Sequence, residues 1–117
     1  MKISEIKEIM KAELLSGEEH LDDIVIGGGA ADLMDDVLAA AAKGALLLTG
    51  LTTEQMLRTA KVAGVNAILF VRGKRPAPNI VEMAMGFQMP LLLTEYSLFV
   101  ACGRLYMNGL RGLDGSW

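Results

Sequence analysis

Short apolar runs that stop at a small polar residue or a glycine set the rhythm of this chain. Ala45-Leu-Leu-Leu-Thr49-Gly50, Asn66-Ala-Ile-Leu-Phe-Val71-Arg72-Gly73 and Pro90-Leu-Leu-Leu93-Thr94 share this shape, and Asp23-Ile-Val-Ile26-Gly27-Gly28 is a looser copy. Successive copies lie roughly 22 residues apart, the room that one strand and one crossover helix need. The runs lack polar alternation, so they predict strands covered on both faces, with Asn66–Val71 central. Between them the period changes to that of helices. Ile3, Ile6, Ile9 and Met10 fall on one face of a segment that Ser4 could cap. Glu13-Leu-Leu-Ser-Gly17 reads as a brief extended piece and a turn, and Glu18–Asp23 as an acidic connection carrying His20 on the surface.

Ile24–Ile26 then reads as the first strand of the repeat, with Gly27–Gly29 directly after it. Two readings of the three glycines stay open: a tight strand-to-helix turn, or a phosphate loop of backbone N–H groups. Leu33, Met34, Val37, Leu38 and Ala41 form the stripe of a helix over Asp32–Lys43, with Gly44 as its stop. Thr52 or Thr53 can cap the next helix, in which Met56, Leu57, Ala60 and Ala63 face inward and which Gly64 ends. Pro78 suits the first turn of a helix over Asn79–Gln88, and Pro90 the start of the last strand. A final helix begins near Ser97, turns Leu98, Ala101, Cys102 and Leu105 to one side and stops at Gly109; Leu110–Trp117 is expected to fray. The expected architecture is a three-layer α/β/α domain over residues 1–110, with a mainly parallel sheet of four to five strands built from successive βα units. Residues 111–117 form a C-terminal tail.

Composition narrows the function. Of 117 residues 52% are hydrophobic but only 5% aromatic, so the core is built from aliphatic side chains and eight Met. The net charge of -3 and pI near 5.1 argue against a nucleic-acid surface, which needs a concentrated positive field. No run reaches the roughly 18 apolar residues of a membrane span, and the N-terminus lacks a signal-peptide pattern. One cysteine, Cys102, cannot form an internal disulfide, so the expected location is cytoplasmic with no membrane contact.

In an open parallel sheet, ligands bind beyond the carboxyl ends of the strands. The candidate binding residues are therefore Gly28, Gly29, Thr49, Gly50, Arg72, Gly73, Lys74, Arg75 and Thr94. Arg72–Arg75 is the one concentrated positive charge, and with glycine N–H groups and threonine hydroxyls it could grip a nucleotide or another phosphate. The bland alternative is ordinary turn chemistry beside a solvated basic loop. No catalytic set emerges: Thr49, Thr94 and Cys102 have no evident base, and Cys102 reads as a small buried hydrophobe. Asp32, Asp35 and Asp36 read as charges at a helix start, without the His or Cys partners of a metal site. Neither a metal nor a cofactor is expected.

Several of these stretches together resemble the small stand-alone proteins of the DRTGG-domain family. They are Asp32-Leu-Met-Asp35-Asp36-Val37, the strand into Thr49, Arg72-Gly73-Lys74-Arg75-Pro76, Pro90–Thr94, and Ser97-Leu-Phe99 leading to Gly103-Arg104-Leu105-Tyr106 with Gly109. The likeness runs from about Ile3 to Leu110, although the chain contains no Asp-Arg-Thr-Gly-Gly string. It implies a three-layer α/β domain similar to those beside phosphotransacetylase catalytic domains, in regulatory pyrophosphatases with nucleotide-sensing domains, and at the N-terminus of HPr kinase. It also implies an accessory role without catalysis, often at a dimer interface, and a regulatory protein partner. The reading is thus a non-enzymatic, self-associating regulatory module that senses a nucleotide or phosphorylated metabolite at the strand-end rim. Small-molecule binding as the main role is the alternative, and an unrecognised hydrolase or transferase comes after it.

Overall fold

The computed structural model describes residues 1–113, apart from the side chain of Leu38. Its elements are α1 (Ile3–Ile9), β1 (Glu13–Ser16), a 3₁₀ turn (Glu18–His20), β2 (Gly28–Ala30), α2 (Met34–Ala40), β3 (Leu46–Thr49), α3 (Glu54–Ala63), β4 (Ala67–Phe70), α4 (Pro78–Gly86), β5 (Leu91–Leu93) and α5 (Leu98–Met107). The strands form one sheet in the order β1-β5-β4-β3-β2, parallel from β5 to β2 and antiparallel only between β1 and β5. Such a mainly parallel sheet must be covered twice, and it is. Leu46, Leu48, Leu69 and Leu92 point to a layer made by α1 and α5, whereas Leu47, Ile68, Phe70 and Leu91 point to one made by α2, α3 and α4. The period of two along each strand divides one apolar run between two cores. β4 is the middle strand, as its unbroken hydrophobicity predicts.

Local stops also follow the sequence. Thr53 accepts a hydrogen bond from Met56 N, Ser97 caps α5 through Val100 N, Pro78 opens α4, and Gly64 ends α3 in the left-handed conformation. α1 starts earlier than Ser4 predicts: Lys2 is its cap, and the Glu5 carboxylate accepts from Lys2 N at 2.9 Å.

Three expectations are corrected at one edge of the sheet. Ile24–Ile26 is not a strand of the repeat, since Ile26 is 71% exposed and Ile24 only bridges Lys2. The strand is made of the glycines themselves, with Gly28, Gly29 and Ala30 opposite Leu46, Leu47 and Leu48. The cause is close packing: a Cβ on Gly29 would lie 2.8 Å from the carbonyl carbon of Ala40, so only glycine lets α2 approach β2. For the same reason α2 is shorter than 32–43, and the chain is already extended at Ala41. Finally, the segment after α5 does not fray at Leu110. Leu110 is buried, Gly28 N donates to Arg111 O, and Gly112 bridges Gly28 in parallel. Residues 114–117 of the expected tail lie outside the described residues.

Candidate functional site

The carboxyl ends of β2 to β5 deliver Asp32, Gly50, Arg72 and Glu95 to one rim. Arg72 is its organising residue. It sits at φ 57°, a left-handed backbone that a side chain with a Cβ adopts only when its surroundings insist. Two bonds fix it: Arg72 N donates to Tyr96 O at 2.8 Å, and Gly73 N, itself at φ 65°, donates to Thr94 O at 2.9 Å. The Arg72 side chain then lies flat over Gly50, where a Cβ would stand 2.9 Å from its guanidinium carbon. Its Nη1 donates to Asp32 Oδ2 at 2.7 Å, while Gly50 N donates to Asp32 Oδ1 at 2.7 Å. Three strand ends are thus tied by one carboxylate.

Arg72 beside Asp32 holds that carboxyl below the usual carboxylate range, with the Gly50 N–H helping against partial desolvation. A lowered folded-state pKa means that the charged form favours folding. The stabilisation is therefore complete above the ordinary Asp value and is lost as pH falls through the lower folded value. Asp32→Asn should lower stability by roughly 0.5–1 kcal/mol at neutral pH, given how exposed the pair is. Thermal melts run towards acid should show the wild type losing stability faster until the two proteins converge; parallel curves would rule the ion pair out.

The structure brings only part of the expected rim together. Arg75 leaves it and pairs with Glu13 on β1, at 2.5 and 3.1 Å. That pairing holds the Glu13 carboxyl below its ordinary value. Lys74 N donates to Val71 O at 3.0 Å, but the Lys74 side chain makes no hydrogen bond or ion pair among the described residues. Thr49 and Thr94 are buried and their hydroxyls work as turn locks: Thr49 Oγ1 accepts from Leu51 N, and Thr94 Oγ1 accepts from Tyr96 N while donating to Met10 O. Gly28 and Gly29 lie along the lateral edge of the sheet, inside β2. A carboxylate, Glu95, covers Gly73, where a Cβ would stand 3.1 Å from its carboxyl carbon. His20 is held between Asp23 (2.8 Å) and Gln88 (3.2 Å), beside the start of β5 and not on the rim.

Sequence reasoning missed Asp32 as a rim residue, because it reads as a charge in the first turn of α2. Placing β2 on the glycines would have put Asp32 just past a strand end, as Gly50 and Arg72 are. Among the described residues no group of three or more His, Cys, Asp or Glu is placed to hold a metal, and no helix is long and apolar enough to cross a membrane.

Comparison with known proteins extends this picture. No curated protein matches the sequence. Among solved structures, the chain is similar to the regulatory region of Clostridium perfringens pyrophosphatase, which contains CBS and DRTGG domains and was crystallised with its activator, diadenosine tetraphosphate. The TM-score is 0.70 at 16% sequence identity, over 89% of this chain and 45% of that one, so this chain spans less than half of the larger region. The likeness is one of fold, and it agrees with the mixed α/β sandwich described above. The profile of the DRTGG domain matches residues 5–106, nearly the whole described chain, and the protein belongs to the DRTGG-domain family.

Proposed function

We propose that this protein is a non-catalytic regulatory module that acts by association, beginning with a second copy of itself. One observation carries this reading: the outer face of α5 is an exposed apolar stripe. Phe99 and Met107 are almost fully exposed, at 87% and 86%, with Val100 partly so. Gly103 lies in the middle of the stripe, with open space where its Cβ would point. Large apolar residues on both sides of a glycine hollow form a self-complementary surface, since Phe99 of one copy can seat over Gly103 of the other. The partner's α5 would then cover what the monomer leaves wet, and a regulatory protein partner presenting a similar helix would compete for the same face. Sedimentation should report a dimer, and Phe99→Asp with Met107→Asp should give a monomer with unchanged circular dichroism. A wild-type monomer at high concentration would sink the reading.

The rim favours a second role, the sensing of a nucleotide or phosphorylated metabolite. The strained backbone of Arg72 is an expensive feature, at about 1–3 kcal/mol, to keep for a solvated loop. Asp32 occupies one arm of its guanidinium as an internal anion that a phosphate could displace, and the uncommitted Lys74 stands two residues on. The nucleotide activator bound by the pyrophosphatase region supports that ligand class. In a thermal-shift series with ATP and diadenosine tetraphosphate, saturation at 100 times Kd should add about 2.7 kcal/mol. Arg72→Ala should abolish the shift, whereas Arg75→Ala, already committed to Glu13, should leave it. No shift with any phosphate ligand would end this role.

A further inference from the structure

A separate cavity of about 250 Å³ opens between β2 and the end of α5, along the lateral edge of the sheet and away from Arg72. We propose that it binds a planar heterocycle with a hydrogen-bond acceptor next to a donor, such as a purine, whose anionic substituent rests on Arg111. The site goes beyond the rim reading and does not depend on it.

Three observations specify the ligand. The floor is apolar, made by Leu48, Leu105 and Leu110, and one wall is the backbone of Gly28 and Gly29, which carries no side chain and leaves a flat slot. An apolar slot of this size favours a ring and has no room for a whole dinucleotide. Ala30 provides the polar edge. Gly28 N bonds outward to Arg111 O, while Ala31 N bonds inward to Leu48 O, so the alternation of a strand turns the N–H and C=O of Ala30 outward like those of Gly28. Ala30 is exposed, lines the cavity, and its outward N–H has no backbone partner among the described residues. A donor and an acceptor side by side on a strand edge match the acceptor and amino group on one edge of adenine, much as they would match another strand.

The third observation is Arg111, which also lines the cavity. Its guanidinium lies 4.1 Å above the Tyr106 ring, and its Nη1 donates to Tyr106 O at 2.7 Å and Leu110 O at 3.3 Å. Those contacts hold the plane of the group, and among the described residues its Nε and Nη2 donate to nothing. A fixed cation with two donors at the mouth of an apolar slot suits a phosphate or carboxylate attached to the ring.

Cys102 is the only cysteine of the chain and lines the same cavity, so its alkylation reports occupancy directly. Burial raises the thiol pKa, and the assay is therefore run at mildly alkaline pH with iodoacetamide. Adenosine monophosphate should slow alkylation saturably, adenosine should do so with an affinity weaker by roughly tenfold or more, and ribose 5-phosphate should not protect. Arg111→Ala should bring adenosine monophosphate down to adenosine, and Ala30→Pro, which removes the outward N–H on an edge strand, should weaken both as long as circular dichroism shows it folded. Arg72→Ala should leave protection unchanged, which separates this site from the rim. Absence of saturable protection by either ring compound, equal protection by ribose 5-phosphate, or an undiminished effect in folded Arg111→Ala would overturn the assignment.

Discussion

Replacing Gly29 by valine is expected to cost more than 3 kcal/mol and to leave little folded protein, far beyond what an edge-strand substitution normally does. Gly29 pairs with Leu47 on β3 and has ordinary extended dihedrals, so the cost is not conformational. It is purely steric: a Cβ would stand 2.8 Å from the carbonyl carbon of Ala40 and 3.0 Å from its Cα. Backbone atoms cannot rotate aside as a side-chain end can. Relief would require the last turn of α2 to lift from the sheet, and Val37, fully buried in the same core, would lift with it. Gly29→Ala should therefore already be damaging. Gly28→Ala should be mild by comparison, below about 1 kcal/mol, because its Cβ would meet only the end of the Leu110 side chain, at 3.2 Å. Urea midpoints of the three variants decide the matter: a Gly29→Ala protein as stable as Gly28→Ala would mean that α2 does not close on β2 as described.

The same contact explains which parts of this fold were legible in the sequence. β3, β4 and β5 announce themselves because each is an uninterrupted apolar run with a stop residue, which is how a strand buried on both faces is written. Thr53, Gly64, Pro78 and Ser97 announce helix ends because capping is local chemistry. β2 carries no such signal. Its residues are chosen for what they lack, since α2 needs space above Gly29, and the nearby Ile24–Ile26 offers a more convincing but false strand. Misplacing β2 by four residues removed Asp32 from the rim.

The rim was likewise half legible. Position past a strand end can be counted along the chain, so Gly50, Arg72 and Gly73 were found. Ion pairing across the fold cannot be counted. Arg75 and Glu13 lie 62 positions apart, and they meet because the antiparallel β1 returns beside β5, a topology the expected succession of βα units did not include. A basic loop read as three free cations is in the folded protein one clamped arginine, one arginine committed elsewhere, and one lysine. Ligand specificity at this rim would rest on competition with Asp32 more than on bulk positive charge.

Phe70→Ala is the second substitution with a large expected effect, about 3–5 kcal/mol. Phe70 is fully buried in the middle strand, in register with Thr49 on β3 and Leu93 on β5, and belongs to the core beneath α2, α3 and α4. Against the roughly 5–15 kcal/mol that ordinarily separates folded from unfolded domains, such a loss removes at least about a fifth of the stability. Phe70→Leu keeps most of the volume and should cost less than about 1.5 kcal/mol. The pair also probes the rim, because the strand continues from Phe70 through Val71, whose N–H is tied to Thr49 O, into Arg72. If the leucine variant retains the Arg72-dependent thermal shift while the alanine variant loses it under conditions where both are folded, rim geometry is set by packing under β4. Equal urea midpoints for wild type and Phe70→Ala would contradict the core assignment itself.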